Sequence, residues 1–214
     1  MKDIVIYGAG GFGREIACLI KLINEKERKW NVVGFLDDNP EIKGTVNEYG
    51  KVLGGIDWIN SYNKPLAVAV AVGSSADVQD ISSKINNLHV DFPNIIAPSV
   101  TFLDKESVRM GEGNIICSSC LISCNVTIGN FNLMNGFIPV GHDTVIGNYN
   151  VIMPSTNISG RVSIGDRNFL GVKSTVLQCV KIGNDVRIGA GSVLMRNTKD
   201  GNLYMGNPAA KVKL

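Results

Sequence analysis

The first part of the chain combines continuous apolar runs with one helical pattern. The apolar runs are not interrupted by alternating polar residues, and they occupy residues 4–7, 32–36 and 66–72. Continuous runs of this kind are typical of parallel strands that helices cover on both faces. After the first run, apolar residues follow Ile16 at helical spacings of three, four and seven. The pattern predicts an α/β, Rossmann-like domain over residues 1–91.

The second part of the chain has a period of six residues. Starting at Met110, every sixth residue is apolar, and the series has fifteen members without an exception: Met110, Ile116, Ile122, Ile128, Met134, Val140, Ile146, Ile152, Ile158, Ile164, Leu170, Val176, Ile182, Ile188 and Leu194. With 44% hydrophobic residues in the chain, a chosen frame would show this by chance about 5 times in a million. The period is therefore a structural repeat.

A second period of eighteen residues lies on top of the first. One column consists of glycine: Gly111, Gly129, Gly147, Gly165 and Gly183. Another consists of asparagine: Asn114, Asn132, Asn150 and Asn168. Three sixes make one coil of three short strands and three corners. We expect φ > 0 at the glycine corner, and a hydrogen-bonded ladder of stacked asparagines.

Stacked coils bury one continuous apolar core, which a single six-residue unit cannot do. The sequence therefore predicts a three-sided parallel β-helix over residues 92–197, without an inserted loop between residues 110 and 194. Residues 198–214 form a predicted C-terminal capping tail. We expect the α/β domain to cover the first coil and the tail to cover the last, because open ends would expose the core.

Composition narrows the possible functions. With 21 Lys and Arg against 19 Asp and Glu, the chain has no basic stripe for nucleic acid. It starts without a secretion signal and has no apolar run of roughly 18 residues, so we expect a cytoplasmic protein without membrane insertion. The five cysteines are an odd number, which favours free thiols. Cys117, Cys120 and Cys124 lack a fourth ligand at a zinc-ribbon spacing, so we expect no metal.

Four motifs resemble a known family. They are Gly8-Ala9-Gly10-Gly11-Phe12-Gly13, Phe35-Leu36-Asp37-Asp38, the stretch from Asn135 through His142-Asp143, and Gly206-Asn207-Pro208-Ala209-Ala210-Lys211. Together with the repeat, they resemble the hexapeptide-repeat acyltransferases, in particular the sialic acid O-acetyltransferases and the N-acetyltransferases of nucleotide-linked amino sugars. The resemblance implies a left-handed β-helix, a homotrimer with sites between subunits, and transfer from acetyl-CoA to a sugar in bacterial surface glycan synthesis.

His142 is the central candidate for the chemistry. It follows the inward Val140 by two residues, which places it at a corner with its ring outside the prism. Histidine exchanges protons near neutral pH, and the resemblance implies that His142 is the general base of a direct transfer. It also implies that Asp143 orients the imidazole, although a solvent-facing turn residue is the alternative. Gly160 lies one coil above, and its amide corresponds to the one that the family places near the thioester carbonyl.

The resemblance assigns further residues to binding. Asn135 corresponds to an asparagine of the acceptor site, with a structural turn residue as the alternative, and Lys211 to the ending that folds beside coenzyme A. The resemblance assigns seven residues to the nucleotide or sugar of the acceptor: Gly8, Gly10, Gly11, Phe12, Gly13, Asp37 and Asp38. Cys124 lies one coil below His142 and suggests an acyl-cysteine, whereas the family transfers directly.

Two other functions stay open at this point. Gly8, Gly10 and Gly13 satisfy GxGxxG between a strand and a helix, and an acidic pair follows the second strand. That pattern is typical of NAD-dependent oxidoreductases. A non-catalytic trimeric scaffold is the second alternative. Phe12, Ser74-Ser75 and Asn150-Val151 depart from residues that are frequent in the family, so the acceptor is not identified.

Overall fold

The computed structural model of the chain describes residues 1–212. The chain forms two compact units that divide between Pro98 and Ser99, whereas the sequence predicts a boundary after residue 91. The apolar signal of the first sheet ends there, because its last strand is Val90–Asp91. The predicted tail over residues 198–214 extends beyond the described residues at positions 213 and 214.

The N-terminal unit is an α/β sandwich. Its helices and strands are β1 Lys2–Tyr7, α1 Gly11–Lys26, β2 Trp30–Leu36, β3 Val46–Asn47, β4 Gly50–Gly54, α2 Ile56–Ser61, β5 Leu66–Val70, α3 Ser75–Lys84, β6 Val90–Asp91 and β7 Ile95–Ile96. The sheet order is β3-β4-β2-β1-β5-β6, parallel except for the β3-β4 hairpin. The predicted α/β class is confirmed, and the apolar runs correspond to β1, β2 and β5.

Close packing requires glycine at two positions around the turn between β1 and α1. Helix α1 buries Ile16 and Ile20 completely, so it lies directly on the sheet. A Cβ on Gly13 would collide with the carbonyl oxygen of Gly8, and Gly8 itself has φ +111. These two glycines are therefore required by the turn between β1 and α1 and by the packing of the helix.

The C-terminal unit is built from two-residue strands, which recur every six residues from residue 109 onward. They are β8 Thr101–Phe102, β9 Arg109–Met110, β10 Ile115–Ile116, β11 Leu121–Ile122, β12 Thr127–Ile128, β13 Leu133–Met134, β14 Pro139–Val140, β15 Val145–Ile146, β16 Val151–Ile152, β17 Asn157–Ile158, β18 Ser163–Ile164, β19 Phe169–Leu170, β20 Thr175–Val176, β21 Lys181–Ile182, β22 Arg187–Ile188 and β23 Val193–Leu194. Two longer strands follow: β24 Leu203–Gly206 and β25 Ala209–Lys211.

These strands form three faces of a parallel β-helix. Counting the strands of the C-terminal unit, one face runs β10-β13-β16-β19-β22-β24-β25, the second β8-β11-β14-β17-β20-β23, and the third β9-β12-β15-β18-β21. Partners between successive coils are eighteen residues apart, as in Ile128 and Ile146. No residue is inserted between positions 110 and 194, as predicted. In the tail, β24 extends the first face beyond β22, and β25 pairs with it in antiparallel fashion.

The corners differ from the prediction in where the backbone is left-handed. Positive φ recurs every sixth residue, with φ between 53 and 64° at the non-glycine positions: Ser119, Asn125, Phe131, Phe137, Asp143, Tyr149, Ser155, Arg161, Arg167, Lys173, Cys179 and Asp185. None of the five column glycines is among them, so the expectation of φ > 0 at the glycine corner is wrong. A Cβ on Gly147 would lie 2.7 Å from the carbonyl oxygen of Gly165 in the next coil. These glycines permit the close approach of successive coils.

The predicted asparagine ladder is present. Asn150 Nδ2 donates to Asn132 Oδ1 at 2.9 Å, and Asn150 Oδ1 accepts from the backbone N–H and the Nδ2 of Asn168 at 2.9 and 3.0 Å. All three side chains are buried. Because each amide satisfies the next, the ladder ties the coils together inside a low-dielectric core. Within residues 1–212, no helix is both long and apolar enough to span a bilayer.

Candidate active site

His142 and Asp143 form a hydrogen-bonded pair at the corner between β14 and β15. Asp143 has φ 58°, which turns two adjacent side chains toward the same side of the chain. His142 Nδ1 lies 2.7 Å from Asp143 Oδ2. A carboxylate only accepts, so Nδ1 carries the proton and the neutral ring has its lone pair on Nε2. The side chains are 51% and 43% exposed, so the imidazole can meet a substrate.

Asp143 is held as a carboxylate. The hydrogen bond from His142 lowers the pKa of Asp143, and so does a second one from Asn125. Asn125 Nδ2 lies 3.2 Å from Asp143 Oδ1. The guanidinium of Arg161 is also close, with Nε 3.9 Å from Oδ2. The charged carboxylate therefore fixes the ring orientation and would stabilise an imidazolium formed during a reaction.

Gly160 leaves open the space above the imidazole. A Cβ at this position would lie 2.6 Å from His142 Nε2, which is closer than van der Waals contact. Among residues 1–212, no hydrogen-bond acceptor faces the N–H of Gly160. A cavity of about 250 Å³ opens here, and its lining consists of His142, Gly160, Arg161, Gln178 and Cys179. A proton acceptor and an available amide donor therefore share one cavity.

Three other predicted residues of the C-terminal unit lie outside this cavity. Asn135 follows β13 at the preceding corner, and its Nδ2 approaches Met153 Sδ at 3.7 Å. Cys124 is half-buried and does not line the cavity. Lys211 is an exposed residue of β25, opposite Tyr204. The chain by itself does not bring these residues to the imidazole.

The sequence analysis missed three residues of this cavity: Arg161, Gln178 and Cys179. A usable signal was present, since Gln178 lies two coils above His142 and Arg161 one coil above Asp143 in the eighteen-residue register. Asn150 and Val151, which replace a frequent histidine, are both buried. Asn150 belongs to the asparagine ladder, so in this chain its amide is not available to a ligand.

The glycine loop of the N-terminal unit is only partly explained by packing. Added Cβ atoms on Gly10 and Gly11 would meet nothing within 4 Å, unlike those on Gly8 and Gly13. Phe12 is half-buried. The N–H groups at the start of α1 have no side-chain cap, so the loop presents accessible donors.

The acidic pair that follows β2, Asp37 and Asp38, accepts hydrogen bonds from this loop and from residues outside it. Asp37 Oδ2 accepts from the backbone N–H of Ala9 at 3.1 Å. Asp38 Oδ1 accepts from Tyr7 Oη at 2.7 Å and from the backbone N–H of Ile56 at 3.1 Å. Burial and the bond to Asp38 raise the pKa of the Tyr7 hydroxyl, which stays neutral. Both predicted carboxylates thus have structural partners.

A second cavity, of about 440 Å³, adjoins the acidic pair. Besides Asp37 and Asp38, it is lined by Lys43 and Trp58. Because it contains an aromatic face, a cation and carboxylates, it is suited to a polar ligand with a planar group. Sequence reasoning found the carboxylates and missed Lys43 and Trp58. Their only signal is proximity to the strand ends.

The cysteines form no metal centre in the described part of the chain. No group of three or more His, Cys, Asp or Glu side chains in residues 1–212 is arranged to hold an ion. Cys120 is buried, which raises the pKa of its thiol. Its Sγ donates to the carbonyl oxygen of Asn135 at 3.2 Å, so this thiol is a structural group of the core.

Two family models match the chain. Residues 3–85 match the PglD N-terminal domain, and residues 161–196 match the bacterial transferase hexapeptide of six repeats. These matches confirm the predicted resemblance to the hexapeptide-repeat acyltransferases. The predicted left-handed parallel β-helix and the predicted acyltransferase class are confirmed. The glycine loop lies within the residues that match the PglD N-terminal domain, and the enzyme class is that of an acyltransferase and not of an NAD-dependent oxidoreductase.

Three solved structures resemble this chain over nearly its whole length. The acetyltransferase domain of PglB from Neisseria gonorrhoeae FA1090 is 26% identical, with a TM-score of 0.88 over 99% of this chain and 100% of that chain. PerB from Caulobacter crescentus, in complex with CoA and GDP-perosamine, is 27% identical, with a TM-score of 0.88 over 100% and 98%. WeeI from Acinetobacter baumannii AYE is 26% identical, with a TM-score of 0.88 over 99% and 100%. Among curated proteins, none matches the sequence.

Proposed function

We propose that the protein transfers the acetyl group of acetyl-CoA to the amino group of a nucleotide-linked sugar in bacterial surface glycan synthesis. The His142–Asp143 pair beside Gly160 carries this proposal, since it joins a proton acceptor to a free amide donor in one cavity. The similarity to PerB, whose structure holds CoA and GDP-perosamine, supports the two substrate classes. Because acetyl-CoA is a cytoplasmic metabolite, we place the reaction in the cytoplasm.

The proposed reaction is a direct attack. The acceptor nitrogen adds to the thioester carbonyl carbon, and its proton passes to Nε2 of His142. The new C–N bond forms while the carbonyl π electrons move to oxygen, where the Gly160 N–H stabilises the charge. The carbonyl re-forms as the C–S bond breaks, and the imidazolium returns its proton to the thiolate of CoA. Asp143 keeps the ring oriented throughout, and Cys124 has no part.

We assign the nucleotide of the acceptor to the N-terminal unit. Gly10, Gly11 and Phe12 offer accessible backbone donors, and the Asp37–Asp38 cavity supplies an aromatic face and a cation. Gly8 and Gly13 contribute by shaping the turn. In the C-terminal unit, Asn135 is proposed to contact the acceptor, and Lys211 to contact the CoA phosphates.

Replacing His142 by alanine tests the proposal. We expect kcat to fall about a hundredfold or more, because the variant lacks the base while the exposed ring contributes little to folding. The assay measures CoA release from acetyl-CoA with GDP-perosamine and UDP-linked amino sugars as acceptors.

The matched control is His89→Ala, which removes the other histidine, an exposed residue of the N-terminal unit. It should keep wild-type turnover. A folded His142→Ala variant that also keeps wild-type turnover would refute the assignment of the base. Failure of the wild-type protein to bind acetyl-CoA would refute the acyltransferase proposal as a whole.

A further inference from the structure

Arg161 belongs to a column of polar side chains along the His142 corner. Asn125, Asp143 and Arg161 are eighteen residues apart and have φ values of 55, 58 and 58°, so the three side chains leave the prism in the same direction. The backbone N–H of Arg161 donates to the carbonyl oxygen of His142 at 2.8 Å. The position of Arg161 is therefore set by the same coil stacking that sets the base.

The guanidinium of Arg161 forms no close ion pair among residues 1–212, so its N–H groups are available to a ligand. Within residues 1–212, its side chain has one charged partner, Asp143, with Nε 3.9 Å from Oδ2. This distance is too long for a hydrogen bond, and the side chain is 68% exposed, so the pair adds little stability. The other guanidinium N–H groups have no acceptor among these residues.

The same guanidinium lines the cavity that contains Nε2 of His142 and the N–H of Gly160, which has no acceptor among residues 1–212. A cation with several N–H donors thus lies beside a neutral amide donor, in the space where an acyl group would meet the base. Charge-assisted hydrogen bonds to a developing oxyanion are among the strongest contributions to acyl transfer.

We propose that Arg161 is a catalytic residue that donates to the thioester carbonyl oxygen, together with the amide of Gly160. This inference rests on the proposed acetyl transfer and deepens it. As the acceptor nitrogen attacks, the carbonyl π electrons move to oxygen, and the guanidinium binds the resulting negative charge. When the C–S bond breaks, these electrons re-form the carbonyl and the contact weakens.

Kinetics of Arg161→Gln and Arg161→Lys test the proposal. We expect kcat to fall about a hundredfold in Arg161→Gln and by less in Arg161→Lys, with little change in the KM of acetyl-CoA, because the contact strengthens in the transition state. Arg109→Gln is the control, since Arg109 is an exposed arginine of β9 outside the cavity. Wild-type kcat in Arg161→Gln would overturn the proposal.

A double-mutant cycle separates this role from the positioning of Asp143. If Arg161 acts on the carbonyl, Arg161→Gln should lower kcat by a similar factor in the wild-type and Asp143→Asn backgrounds. If the effect of Arg161→Gln disappears in Asp143→Asn, the arginine acts only through the carboxylate and the proposal is wrong.

The carbonyl stretching band of bound acetyl-CoA, labelled with ¹³C at the carbonyl, gives a readout that needs no acceptor. The band should lie at lower frequency in the wild-type protein and in Arg109→Gln than in Arg161→Gln, because hydrogen bonding polarises the carbonyl. Identical bands in all three proteins, with acetyl-CoA bound, would refute the role of Arg161 and leave the proposed function intact. Absence of acetyl-CoA binding to the wild-type protein would refute both.

Discussion

At the scale of single residues, the site depends on the absence of a side chain at Gly160. Gly160 has space for neither a methyl group nor a larger substituent, because a Cβ would lie 2.6 Å from His142 Nε2. The atom that it would meet is the end of an exposed side chain, which can move at little cost. A substitution at Gly160 should therefore displace the imidazole and leave the prism intact.

We predict that Gly160→Ala lowers kcat by about tenfold or more, since a displacement of about 1 Å already costs that much in a positioned base, while the melting temperature changes little. Steady-state kinetics and thermal unfolding on the same preparation check this. Gly73→Ala is the control, because an added Cβ there meets nothing within 4 Å. Unchanged kinetics in Gly160→Ala would show that the ring position is not critical.

At the scale of the elements, the coils are held by side chains that repeat every eighteen residues. The sequence predicted the asparagine ladder from its register, and the structure confirms it. It did not predict the second ladder, in which the backbone N–H of Asn148 donates to Asp166 Oδ1 at 2.7 Å. The polar residue after each column glycine was visible, but only the stacked coils show that its oxygen meets the next backbone N–H.

The buried ladder predicts a large cost for Asn150→Ala. The substitution leaves the backbone N–H and the Nδ2 of Asn168 without their acceptor inside the core, so the free energy of unfolding should fall by about 3 kcal/mol. Denaturant unfolding measures it. Asn157→Ala is the matched control, because Asn157 is exposed and its side-chain Nδ2 donates to the carbonyl oxygen of Ser155 at the surface. Equal losses in both variants would contradict the role of the ladder.

The ion pair between Arg167 and Asp185 predicts a pH-dependent contribution to stability. Two hydrogen bonds of 2.7 Å from Arg167 lower the pKa of Asp185. The contribution is therefore fully present above the ordinary carboxyl pKa of about 3.9 and is lost as the pH falls through the lower value of the folded state. Because the pair is partly exposed, Asp185→Asn should cost about 0.5 kcal/mol at pH 7.

Unfolding curves at pH 7 and near pH 3 check this expectation. The difference in the free energy of unfolding between wild type and Asp185→Asn should be smaller at the acidic pH. Asp104→Asn is the control, since Asp104 is exposed and takes part in no ion pair among residues 1–212. If this difference in unfolding free energy is instead larger at the acidic pH, the result contradicts a stabilising ion pair between Arg167 and Asp185.

At the scale of the whole molecule, one chain leaves the cavity beside His142 open to solvent. The His142 side chain is about half exposed, and neither Asn135 nor Lys211 reaches its cavity. We propose that a homotrimer supplies the missing walls from a neighbouring prism, so that each site uses two chains.

We predict that sedimentation equilibrium gives three times the chain mass of 23.0 kDa, and that dilution which dissociates the trimer abolishes transfer. Subunit complementation provides a second measurement. Mixing His142→Ala with Asn135→Ala chains should restore part of the activity if the two residues serve one site from different chains. An active monomer would refute the shared site.

The sequence by itself determined the architecture, because both periods express local requirements that every coil must meet. An apolar residue at each sixth position fills the core, and a glycine at each eighteenth allows the coils to approach. It also pointed to His142, because the frame places that residue outside the prism and the family resemblance assigns it the role of the base. The sequence did not predict which corner residues have left-handed φ, because residues as different as Phe137 and Arg161 share that conformation.

Only the tertiary structure decided which side chains meet at the site. Asp143 bonds the adjacent imidazole because its backbone is left-handed, while Arg161 and Gln178 reach the cavity because Gly160 leaves a gap between coils. The neighbours of a side chain in a β-helix lie eighteen residues away, and their directions depend on corner geometry that one coil cannot specify alone. The sequence thus determines the register of the coils, and the stacking of the coils determines which side chains lie together at the site.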